Sequence, residues 1–176
     1  MKDYAKMILY AYPLLKTVEK DYEEHVSNKA ILSYDGRWTA EQMAESIAEE
    51  ILEMRRLEWM KNRVKETLDK LSDMEKTLVA IRYFGKTKGA KLLLKDEKNP
   101  LRQKGWTERT YFRKQAKLGD KLGEALALAG LTEEVFFNEY AEMGIFKVVA
   151  QAMKRNKERD CHATLAMTEG NQPSVS

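Results

Sequence analysis

Between residues 105 and 122 the chain reads GWTERTYFRKQAKLGDKL, and the side chains with chemistry to offer there are cations. Arg109, Arg113, Lys114, Lys117 and Lys121 fall mostly three or four residues apart, with Thr107 and Thr110 just ahead. An arginine forks onto guanine O6 and N7 or clamps a phosphate, a lysine supplies a point counter-charge to a phosphate, and a threonine hydroxyl bonds a backbone oxygen. That chemistry is recognition of a polyanion rather than the breaking of a bond.

Candidates for catalysis are few. His25 and His162 are the two histidines, and Cys161 is the single cysteine. Cys161 and His162 adjoin, but neighbours in sequence rarely align for proton transfer, and no third group is fixed beside them. HExxH, GxxxxGK[ST] and GxGxxG are all missing. Glu41, Glu45, Glu49, Glu50 and Glu53 have no histidine in i+3 register and read as the wet face of a helix. We expect no catalytic residues, no cofactor and no metal. One cysteine without a CxxC partner also favours a reducing compartment, the cytosol. The N-terminal MKDYAKMILYAYPLL, interrupted by Lys6 and Pro13, reads as neither signal nor span.

The net charge of +3 is small, but its distribution is uneven. Residues 1–85 hold 14 Lys+Arg against 16 Asp+Glu, residues 86–121 hold 12 against 4, and residues 122–176 hold 5 against 8. A block of +8 inside a mildly acidic chain is the footprint of a polyanion-binding surface.

The elements that must carry this block are helices. Apolar residues from Met7 to Ala30 recur every three or four positions, with Pro13 predicted to kink the helix or restart it. SYDGRWT reads as a turn with Thr39 as N-cap, and Ala40 to Leu71 then step with a near-heptad repeat. These two helices are expected to form an antiparallel hairpin, residues 1–71, acting as a scaffold or pairing with a second copy. Ser72 and Glu75 fit a capping box for the helix DMEKTLVAIRYF, which Gly85 ends. In residues 86–104, Leu92, Leu93 and Leu94 could seed a short helix and DEKNP a turn. Thr107 is the predicted N-cap of a helix to about Ala129, closed by Gly130; Thr132 caps another, interrupted near Gly144. The fold class is therefore all-α: a long N-terminal hairpin, a helix-turn-helix domain at 72–158 and a disordered tail at 159–176.

At 100° per residue, Tyr111, Gln115, Leu118, Leu122, Ala125, Leu126 and Ala129 share one arc of helix 107–129, with Phe112 at its margin. Phe84, Trp106, Tyr111, Phe112, Leu118 and Leu122 are the expected supporting core, seating this helix on LVAIRYF. The five cations lie on the other side. Glu108 is the only acid of the first three turns and sits where the helix dipole favours it. A recognition helix presents that same N-terminal half to the major groove. If five phosphates are neutralised, log K should fall against log salt with a slope of roughly −4 to −5.

The segment LSDMEKTLVAIRYFG (71–85) followed by GWTERTYFRKQAKL (105–118) resembles the helix-turn-helix of sigma-factor region four, in which an L…E…RYF helix precedes an (S/T)-x-R-T recognition helix. It is closer still to the phage-borne ArpU/RinA-type late transcription regulators. The resemblance covers about a third of the chain. It implies a helical DNA-binding core at 71–130 and control of phage or prophage genes, with Arg109, Thr110, Arg113, Lys114 and Lys117 facing DNA. Region four has a compact second helix, often containing EIA, before a short turn, whereas here 20 residues separate Gly85 from Trp106, and the chain has nothing resembling promoter-melting segments. The expected partners are double-stranded DNA, then RNA polymerase and a second copy of the chain, without a membrane. A small terminase-like packaging subunit and a module binding an acidic protein are the competing readings.

Overall fold

A computed structural model describes residues 1–32, 39–85 and 105–169 of the chain. Among these residues every regular element is a helix. The first helix, α1, spans Asp3–Ala11. Pro13 occupies the start of a single 3-10 turn, Tyr12–Leu14, where its missing N–H costs nothing, and α2 follows at Leu15–Leu32. The 30-residue α3, Ala40–Asp69, begins at Thr39, whose hydroxyl accepts from the Gln42 amide while the Gln42 side chain accepts from the Thr39 amide. The Ser72 capping box opens α4, Asp73–Val79, as the sequence predicts. The backbone then loosens into one π turn, Ala80–Phe84, and Gly85 leaves it in extended conformation.

Helix α5, Glu108–Leu128, is capped by Thr107, whose hydroxyl accepts from the Thr110 amide. It ends in a Schellman motif. The Leu131 amide reaches the Leu126 carbonyl and the Gly130 amide the Ala127 carbonyl, and Gly130 takes the φ of +90° that the motif demands. Thr132 caps α6, Glu133–Glu139. A turn at 140–143 precedes α7, Gly144–Glu169, so the interruption expected near Gly144 is present. Residues 159–169, expected within a disordered tail, are helical as the end of α7. The expected turn at 33–38, the Leu92–Leu94 helix and the residues after 169 lie outside the described residues.

Helices α2 and α3 pair as the expected hairpin, and polar contacts rather than a core hold its outer part. Lys61 pairs with Glu19, Tyr22 donates to Glu53 at 2.6 Å, and Lys29 bridges Ser46 and Glu50. Burial, aided by the Glu53 bond, holds the Tyr22 phenol well above its ordinary range. The first half of α3 contributes no fully buried residue; Leu57, Met60, Val64 and Thr67 in the second half do.

Helix α1 leaves the hairpin and packs among α5, α6 and α7. One core therefore joins Tyr4, Ile8 and Leu9 to Leu57 and Met60, to Leu78 and Tyr83, and to Leu118, Phe136 and Phe146. Each such fully buried Leu or Phe contributes about 1.5–3 kcal/mol. The boundary expected at residue 71 is crossed by this core rather than marked by a gap in it.

Candidate nucleic-acid interface

The cationic helix is held from behind by three kinds of contact. Tyr111, Leu118, Leu122 and Leu126 are buried along one seam of α5, as its sequence spacing predicts. Gln115, also buried, donates from Nε2 to the Leu78 carbonyl at 2.9 Å and to the Tyr111 hydroxyl at 3.3 Å. Such a bond fixes α5 in rotation and along its axis against α4, because a buried amide left unbonded would cost about 1–3 kcal/mol. Gly119 completes the seam, buried beneath the Met1 side chain.

Away from the seam α5 carries Arg109 and Arg113, with Lys114 and Lys117 at the rim of its contact with α4, all exposed. Among the described residues none of the four makes an ion pair. Four cations project from a single rigid, 21-residue helix, all of them from its N-terminal half. Thr107 and Thr110 lie at its start with their hydroxyls 3.0 Å apart. They bond each other and the cap, so their first role is to fix the helix start, with one remaining hydroxyl hydrogen between them for an outside acceptor.

Lys121 is different. Its ammonium meets Glu75 Oε1 at 2.7 Å, across from the first turn of α4. The Lys121 hydrogen bond, followed by bonding from the Ser72 amide, holds the Glu75 carboxyl down at about 2. Lys121 thus ties α5 to α4 through an exposed ion pair, so a phosphate contact from it would compete with Glu75. Asp120, one residue earlier, accepts from the Met1 amino group at 2.8 Å.

Two of the expected supporting aromatics lie elsewhere. Phe112 is 50% exposed, touching Tyr111 edge-on with centroids 5.4 Å apart. It sits at the margin of the buried arc, and α4 does not reach that far round. Phe84 is 37% exposed and rests on Tyr12 at 5.6 Å, because the π turn carries it away from α5. Trp106 is half-buried against the core as expected.

Trp106 also lines a cleft of about 680 Å³ between α4 and α5, together with Met74, Glu75, Lys114, Lys117 and Lys121. Sequence reasoning missed this cleft, and that Glu75 joins Asp120 and Glu124 as its acids, since the two helices that form it meet only through tertiary packing. Among the described residues no group of three or more His, Cys, Asp or Glu could hold a metal ion, and no helix is long and apolar enough to cross a membrane. No protein-family model, characterised protein or solved structure matches this chain.

Proposed function

We propose that the chain binds double-stranded DNA and regulates transcription, with α5 entering the major groove from its N-terminal half. One observation carries the reading: Arg109, Arg113, Lys114 and Lys117 stand exposed on one helix without ion pairs among the described residues, while its other side is locked by a leucine seam and the Gln115 bond. A solubilising basic face normally mixes signs at i,i+4, as α3 does. In this assignment Arg109 and Arg113 reach base edges, and Lys114 and Lys117 neutralise phosphates. The exposed Phe112 and Ala116 lie beside Arg109 on the wheel and offer apolar contact to a thymine methyl. Control of phage or mobile-element genes is the biological setting implied by the resemblance to the ArpU/RinA-type regulators.

The test is selection of bound molecules from random duplexes, followed by titration of the winning sequence. Enrichment of a defined site, and affinity that falls steeply with salt, is the expected result. A chain that shows no duplex affinity even at low salt would overturn the proposal and leave an acidic protein partner as the use of this face.

A further inference from the structure

We infer that the outward stripe of α3 is a homodimer interface, taking a second copy of the same helix antiparallel with the two-fold axis at Leu52. This does not rest on the DNA-binding reading.

On a wheel of 100° per residue, Glu41, Glu45, Ala48, Glu49, Leu52, Arg55, Arg56, Trp59 and Arg63 all lie within about 60° of Leu52. The side of α3 that packs on α2 is centred opposite them, at Met43, Glu50, Leu57 and Lys61. Leu52 is 53% exposed and Trp59 39%, large apolar residues on a face that is otherwise charged. Glu41, Glu45, Glu49, Arg55 and Arg56 make no ion pair among the described residues, whereas Arg63 lies over the Trp59 ring and bonds Glu66.

The order of the charges specifies the occupant. The unpaired glutamates Glu41, Glu45 and Glu49 all precede Leu52 and the three arginines follow it, while Glu66, further along the same face, is paired with Arg63. Reversing one copy about Leu52 sets Glu49 against Arg55, Glu41 against Arg63, Ala48 against Arg56, and Glu45 beside the Trp59 ring, twice over. Leu52 meets its own copy at the axis. A closed two-fold interface requires this kind of self-complementarity, whereas a parallel copy would oppose like charges along its whole length. The ring of Trp59 meets Gly130 at its edge and Arg63 on one face, and its exposed remainder is what would cover the small Ala48 and the aliphatic stem of Glu45 in the second copy. Outside this stripe, the outer arm buries no apolar residue fully, so the helix pair has an apolar seam still to gain.

The full chain should sediment as a reversible dimer of twice 20.4 kDa in the high micromolar range and dissociate on dilution or added salt. Leu52→Glu should weaken self-association about tenfold or more, since it places two carboxylates at the axis. The decisive pair of variants is Glu41→Arg with Glu49→Arg, and Arg55→Glu with Arg63→Glu. The first carries only positive charge at the four positions and the second only negative. Each should be a folded monomer alone, with wild-type helical circular dichroism, and mixing the two should restore a one-to-one dimer. A wild-type chain that stays monomeric, assembles into a larger ring, or keeps dimerising through these reversals would overturn the inference, as would a mixture that fails to reassociate.

Discussion

Arg113 and Lys117 occupy the same helix face one turn apart, yet their chemistry assigns them separate tasks. Arg113→Ala removes a planar fork able to read guanine, so it should cost about 1–3 kcal/mol of binding and flatten the sequence preference found by selection. Lys117→Ala removes a point charge, so it should weaken all duplexes alike and reduce the magnitude of the salt slope by about 1. Behind them, Gln115 is tied to the Leu78 carbonyl. Gln115→Leu keeps the volume but leaves that carbonyl unmet, which should lower stability by about 1–3 kcal/mol in urea titration. The spacing of the α5 seam placed Gln115 inward, but only the position of α4 supplies its partner.

At the scale of elements, the caps were legible because they are local. Thr39, Ser72, Thr107 and Thr132 each accept from the amide three residues on, within reach of their own side chain. The end of α5 is equally local but more demanding. Gly130 has a φ of +90°, and an added Cβ would lie 3.4 Å from the Trp59 ring. Gly130→Ala should therefore destabilise by about 1–3 kcal/mol, read as a lower Tm, since strained backbone and a crowded ring act together. Helix α7 shows where local reading fails. Residues 159–169 lack an apolar period, yet they continue a helix that Phe146 and Val149 anchor in the core.

Across the whole molecule, electrostatics tie α4 to α5 and set two measurable dependences. Glu75 is paired with Lys121, and its folded pKa of about 2 lies below its ordinary value of 4.5. The stability it contributes is complete above pH 4.5 and is lost as pH falls toward 2. Glu75→Gln should remove that part of the acid sensitivity, seen as a shallower fall of Tm over this window. On α5, Arg109, Arg113, Lys114 and Lys117 are the cations that can meet DNA without giving up an ion pair among the described residues. Lys114 and Lys117, the phosphate ligands of the proposed complex, should contribute about −1.8 to the slope of log K against log salt, and the Lys121 contact with Glu75 should lower the share that a fifth cation adds.

The all-helical class, the start of each described capped helix and the buried arc of α5 follow from the sequence alone, because capping and amphipathic period act over four residues and need no partner. Tertiary structure decided the rest. It inserted α1 into the core that the sequence assigns to residues 72–158, exposed Phe84 and Phe112, and paired Lys121 with Glu75. Those outcomes depend on which surfaces meet across 40 to 120 residues of chain, as Lys121 with Glu75 and Asp120 with Met1 show. A helix period fixes which way a side chain points, and only packing fixes what it finds there.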